Sequence, residues 1–157
     1  MGLLEHFTFD LRRGRVSSNC ACISGSVGAF SGNGPSVNDP GSSHIPFSGP
    51  IPPGRYFIVQ PYVYTSNPRS PYFGVTFFKL YRDDEAIDDS TFVPDPSSPG
   101  EFIERGQFRF HPGTASDGCV TLRQRQDWLQ IQYHLLNRTR IEFLSNGMPY
   151  FGTVTVQ

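Results

Sequence analysis

Gln107-Phe108-Arg109-Phe110-His111, running directly into Pro112-Gly113-Thr114-Ala115-Ser116-Asp117-Gly118-Cys119, is the stretch on which the fold turns. Its opening residues alternate with a period of two, so Phe108 and Phe110 face one side of a strand and Gln107, Arg109 and His111 the other. The Pro, Gly, Ser and Asp content from Pro112 to Cys119 marks a tight loop. Beyond the loop, Thr121 and Gln124 have the spacing of a capping box. Gln124 to Leu136 then carries Trp128, Ile131 and Leu135 at helical spacing, as it does Leu129, Tyr133 and Leu136. One helix is expected there, with Asn137 as a left-handed stop.

Outward from this stretch the chain reads as strands and turns. Phe7, Phe9 and Leu11 alternate with Thr8 and Asp10, and Arg13-Gly14 turns the chain into Arg15-Val16, which predicts an opening hairpin. Strands are also expected at Tyr56 to Val59, Val75 to Tyr81, Arg140 to Leu144 and Phe151 to Val156, with a turn at Asn146-Gly147. Residues 24–53 are rich in Gly, Ser, Asn and Pro, yet Phe30, Val37, Ile45, Phe47 and Ile51 interrupt them. That composition suits a long ordered loop better than a linker. Sixteen glycines, 14 prolines and 14% aromatic residues agree with short strands and tight turns. The 157 residues fit a single domain, mainly β with one short-to-medium helix.

Charge and cysteine content narrow the function. The net charge is −1 and Lys79 is the sole lysine, so no basic stripe exists to draw a nucleic acid. Met1 to Asp10 lacks a cationic region followed by an apolar stretch, and no apolar run reaches the ~18 residues of a membrane span. Neither a cleavable export signal nor membrane insertion is expected. Of Cys20, Cys22 and Cys119, at least one must stay unpaired within the chain, a candidate reactive thiol. Cys20-Ala21-Cys22 is too tightly spaced for a usual structural zinc site. Small buried residues on a strand are the expectation for this pair, with no metal and no cofactor. The acids from Asp83 to Asp89 have two readings: carboxylates for glycoside chemistry, or, with no apolar neighbours to raise a pKa, a solvated loop. The second is preferred.

Cys119 and His111 also have two readings. A nucleophilic cysteine needs a base, a cation or a helix N-terminus to form its thiolate. Here a short loop returns Cys119 to the strand that presents His111, just ahead of the expected cap Thr121. Amides at Gly118 and Cys119 are then candidate donors to an oxyanion. Otherwise the two are a small buried residue and a satisfied strand-end histidine. His6, His44 and His134 are weaker candidate bases.

The run from His111 to Ser116-Asp117-Gly118-Cys119 resembles the H…S-x-G-C signature of the L,D-transpeptidase (YkuD-like) catalytic domain. Pro52-Pro53-Gly54-Arg55-Tyr56 is similar to the turn and strand that precede it there. Phe30-Ser31-Gly32-Asn33-Gly34, Asn38-Asp39-Pro40 and the short His-to-Cys spacing resemble a compact branch that includes type VI secretion effectors. The resemblance implies an L,D-transpeptidase-like β-sandwich. It also implies a cysteine acyltransferase or hydrolase acting on peptidoglycan tetrapeptide stems, with L,D-carboxypeptidase, exchange or cross-linking outcomes. Cys119 is the implied nucleophile and His111 its base, with Ser116 and Gly118 shaping the site. Where many relatives carry an arginine two residues after the cysteine this chain has Thr121, and Arg123 is the candidate replacement. Tyr56, Tyr72 and Phe73 are candidate groove residues. Secretion into the periplasm of a target bacterium and a periplasmic immunity protein as partner are further implications. Two competing readings remain: a non-catalytic β-rich module that binds wall glycan or peptide, and a cysteine peptidase acting on protein.

Overall fold

The computed structural model describes residues 4–19 and 22–157. Eleven strands and one α-helix are assigned among them: β1 (Glu5–Asp10), β2 (Arg15–Ser18), β3 (Ser26–Phe30), β4 (Gly54–Val63), β5 (Thr76–Arg82), β6 (Ser90–Pro94), β7 (Phe102–Gly106), β8 (Arg109–Pro112), β9 (Val120–Leu122), α1 (Arg125–Asn137), β10 (Glu142–Phe143) and β11 (Pro149–Val156). Nine strands form one sheet in the order β1-β2-β3-β9-β8-β5-β4-β11-β10, and β6 and β7 form a separate hairpin. β1 also pairs in parallel with β11, from Glu5–Gly152 to Phe9–Val156. That pairing closes the sheet on itself, so the mainly β domain is a barrel-like sandwich with few free edges.

The opening hairpin forms as the alternation predicts: Phe7 and Phe9 are fully buried, and Gly14, at φ +63°, makes the turn. Strand β4 differs. Tyr56, Phe57, Ile58 and Val59 are all buried, because Tyr56 and Ile58 join the main core while Phe57 and Val59 face a second cluster with Tyr81 and Leu144. A strand covered on both faces reads as an unbroken apolar run. Helix α1 buries Trp128, Ile131 and Leu135, with Tyr133 and Leu136 exposed. The Trp128 ring meets Phe110 edge-on at 5.0 Å and Phe78 at 6.1 Å, and its Nε1 donates to the Thr76 carbonyl at 3.1 Å.

Three local expectations need correction. Thr121 is not a helix cap but the centre of β9, fully buried between Phe30 of β3 and His111 of β8. The helix starts only at Arg125, with Gln124 at its N-cap, so tertiary pairing of Val120-Thr121-Leu122 overrides the capping pattern. Asn137 is the last helical residue and Arg138, at φ −121°, is the C-cap. Cys22 lies half-buried in the turn before β3 and is disulfide-bonded, not a free strand residue; Cys20 falls outside the described residues. No helix among the described residues is long and apolar enough to cross a membrane.

Candidate active site

Strands β8 and β9 lie side by side in parallel, with Phe110 opposite Val120 and His111 opposite Thr121. Parallel neighbours ordinarily need a crossover of about a dozen residues or more. Here the chain makes the return with only Gly113 to Cys119. Such a short return is held by cross-bracing. Ser116, 4% exposed, accepts from the amides of Gly32 at 3.2 Å and Gly118 at 3.3 Å, and its hydroxyl donates to the Cys119 carbonyl at 2.9 Å. The Asn33 side-chain amide reaches the Ser116 carbonyl and an Asp117 carboxylate oxygen, each at 3.1 Å, and the Phe47 carbonyl at 2.8 Å. Gly118 adopts φ +126°, and a Cβ there would stand 2.6 Å from Nη2 of Arg105.

The register that pairs His111 with Thr121 puts Cys119, two residues earlier, on the same sheet face as His111. Both side chains line one cleft of about 580 Å³, together with Pro46, Phe47, Asp89, Glu104, Arg105, Gln107, Ser116 and Asp117. His111 Nδ1 lies 2.7 Å from the Pro112 carbonyl. A carbonyl only accepts, so Nδ1 carries the proton and Nε2 is left with its lone pair. The ring stacks on Phe77 at 4.6 Å, and Phe77 in turn on Tyr64 at 4.9 Å, which fixes the imidazole plane. Burial holds the His111 pKa below its ordinary value, opposed by the Pro112 carbonyl and helped by the Arg109 charge.

Cys119 is a free, half-buried cysteine. Its thiol donates weakly to the Gln107 carbonyl at 3.9 Å. Burial pushes its pKa up to about 11, against the Arg109 backbone N–H and guanidinium, which favour the thiolate. The helix N-terminus expected to assist is displaced by β9. At neutral pH a neutral thiol and a neutral imidazole therefore line the same cleft. Its chemical capacity is general-base-assisted nucleophilic attack, in which the proton moves as the bond forms.

Residues 25–145, well over half of the chain, match the family model of the Tlde1 domain. The chain belongs to the Tlde1 domain family. This is a family of type VI secretion effectors of the L,D-transpeptidase type, delivered into target cells. No curated protein matches the chain, and no solved structure does either.

The remaining candidates of this Tlde1 domain are dispersed. Arg123 lies outside the Cys119 cleft: its guanidinium sits 4.5 Å above the Phe30 ring in a neighbouring groove that shares Ala115 and Ser116. Tyr72 lines a third groove with Tyr64, Phe77, His111 and Ala115. Tyr56 is fully buried, its hydroxyl donating to the Pro52 carbonyl at 2.7 Å, so it is a core residue without a surface to offer a substrate. Phe73 is exposed but does not line these three grooves. His134 is engaged by Glu5 at 2.7 Å, on the helix.

Three residues in or beside the cleft take roles that the sequence reading does not assign them. Asp89, from the acidic stretch taken as solvated, chelates Arg109 through both oxygens at 2.7 and 2.9 Å. Arg109 thereby stands beside the thiol, and Arg105, on β7, closes the cleft behind Gly118. Alternation placed Arg109 on the His111 face. Asp89 is marked only as one of an acidic stretch, and nothing in the sequence marks Arg105.

Proposed function

We propose that this Tlde1 domain is a cysteine acyltransferase and hydrolase acting on peptidoglycan tetrapeptide stems. The observation that carries the reading is the free Cys119 sharing a cleft and a sheet face with a histidine whose Nδ1 is tied to a carbonyl. His111 Nε2 takes the Cys119 proton as sulfur attacks the carbonyl that precedes the terminal D-alanine. The Cys119 amide is the proposed donor to the oxyanion; that of Gly118 is engaged by Ser116. Collapse expels the D-alanine amine, protonated by His111, and leaves a thioester. Water, a free D-amino acid or the side-chain amine of a second stem then resolves it.

A proton returned by His111 requires the leaving or entering amine to lie on the imidazole side. The groove of Tyr64, Tyr72 and Phe77, which meets the cleft at His111 and Ala115, suits that amine component. Arg123 is proposed to hold a substrate carboxylate from the groove beside Ser116. A wall substrate places the site of action in the periplasm of the target cell. An immunity protein that plugs the cleft is the proposed partner, tested by whether the product of an adjacent gene co-purifies with this chain and blocks it.

The test is mass spectrometry of a purified disaccharide-tetrapeptide incubated with the wild type and with Cys119→Ala, with and without an added D-amino acid. Loss or exchange of the terminal D-alanine by the wild type alone is expected. An unchanged muropeptide from folded, reduced protein would refute the reading.

A further inference from the structure

Arg105 is 4% exposed, on a strand of the separate hairpin. Its Nη1 donates to the carbonyls of Ser43 and, at 3.3 Å, Pro50; its Nη2 donates to those of Gly49 at 3.1 Å and Asp117 at 3.4 Å. The Phe108 ring lies 5.4 Å from Cζ. Burying a guanidinium is costly, and proteins commonly offset the cost with a carboxylate. Among the described residues the ion pairs are those of Arg13, Arg55, Arg109, His134 and Arg140, and Arg105 has none. The donors of both Nη atoms are directed at main-chain carbonyls, so this is not an open fork waiting for a substrate carboxylate. Instead, one positive charge, hydrogen-bonded to main-chain carbonyls and set over the Phe108 ring, stands in the wall of the cleft that holds Cys119.

Building on the acyl-transfer reading, we propose that Arg105 is a positioning residue of the reaction. Its guanidinium locks the turn before Cys119 onto the Gly49-Pro50 segment and keeps an unneutralised positive charge behind the nucleophile, where thiolate and oxyanion form. The carbonyl of Asp117 is the link: fixing it fixes the peptide planes of Gly118 and Cys119, and with them the direction of the proposed oxyanion donor. A fixed charge in a partly dewatered cleft acts on an anion more strongly than one in bulk solvent. Burial lowers the Arg105 pKa, with the Tyr56 hydroxyl and then the Cys119 thiol opposing that shift, and Arg109 is the cation that most favours the thiolate.

Arg105→Gln and Arg105→Lys, made in the full chain, separate these roles. The readouts are the pH dependence of Cys119 alkylation by iodoacetamide, which needs no turnover, D-alanine release from a disaccharide-tetrapeptide, and the melting temperature. In Arg105→Gln the alkylation midpoint is expected to rise by about one pH unit, the low end of the effect of a nearby opposite charge. Its kcat falls at least about tenfold while KM holds within about threefold, the signature of an interaction made in the transition state. Arg105→Lys restores the alkylation midpoint but not kcat, because an ammonium cannot span four carbonyls. An unmoved midpoint together with unmoved kcat in a folded Arg105→Gln overturns the proposal, as does a KM increase at constant kcat. Should Arg105→Gln fail to fold, Arg105→Lys decides, and a lysine variant with wild-type kcat overturns it. A wild type that releases no D-alanine, while the alkylation midpoint still moves, defeats the acyl-transfer reading and leaves the electrostatic role of Arg105 supported.

Discussion

Replacing Gly118 by alanine tests whether the nucleophile loop is held as tightly as its contacts imply. At φ +126° the position lies where L side chains rarely go, a cost on the order of 1–3 kcal/mol. The added Cβ would also stand 2.6 Å from Nη2 of Arg105, 3.2 Å from Phe108 Cε1 and 3.3 Å from the Gly49 carbonyl oxygen. A flexible arginine tip would yield cheaply, but this one is held by four carbonyls, so overpacking of about 1–3 kcal/mol is expected on top. The sum is about 2–6 kcal/mol, out of a total stability on the order of 5–15 kcal/mol. Gly147→Ala is the control. Its φ is +85° with nothing within 4 Å of the new Cβ, so only the left-handed penalty of about 1–2 kcal/mol applies. Urea titration of both variants gives the difference, and in melting curves Gly118→Ala loses about 2–4 °C per kcal/mol. Equal destabilisation of the two variants would show that Arg105 moves freely and that the clamp is not a clamp.

Two further predictions concern the same loop. The Cys119 thiol, raised from 9.0 to about 11, keeps its proton more tightly in the folded than in the unfolded chain. Stability therefore falls as pH rises from about 9 to 11, by about 2 kcal/mol, and Cys119→Ala removes that slope in urea titrations. A wild-type slope identical to that of the alanine variant would contradict the burial of the thiol. Ser116→Ala strands the amides of Gly32 and Gly118 and costs about 1–3 kcal/mol with a fall in D-alanine release. A loss under about 0.5 kcal/mol with full turnover would remove Ser116 from the bracing of the loop.

Local rules carried the reading as far as they apply. Alternation from Phe108 to His111 survives in burial, and the spacing of Trp128, Ile131 and Leu135 survives as the buried helix face. What failed was decided over long distances. The barrel closes by pairing Glu5 to Phe9 with Gly152 to Val156, and no local pattern encodes a parallel ladder between the two ends of the chain. Thr121 and Gln124 fit a capping box by spacing alone, yet Val120 to Leu122 pair with β3 on one side and β8 on the other. The hairpin of β6 and β7 was hidden because its loop, Asp95 to Glu101, is Pro- and Ser-rich and its outward face keeps Phe92 and Phe102 exposed. Arg105 lies on that hairpin, and a buried arginine on a strand has no periodicity of its own.

The lost helix dipole changes how Cys119 works as the proposed nucleophile. A thiol of pKa about 11 is ionised to only about one part in ten thousand at pH 7, about a hundredfold less than a thiol at 9.0. The more basic thiolate is the stronger nucleophile, and with a Brønsted slope of about 0.4–0.5 this recovers about tenfold. A deficit of about tenfold remains for the protein to offset. In the proposed mechanism His111, kept neutral by burial and with Nε2 unprotonated, removes the need for a standing thiolate by taking the proton during attack. The Arg109 amide and guanidinium then favour the anion as it develops. The same neutrality leaves the resting thiol a poor target for oxidants, since susceptibility follows thiolate character. Cys119 can thus persist as a free thiol in a chain whose Cys22 is disulfide-bonded.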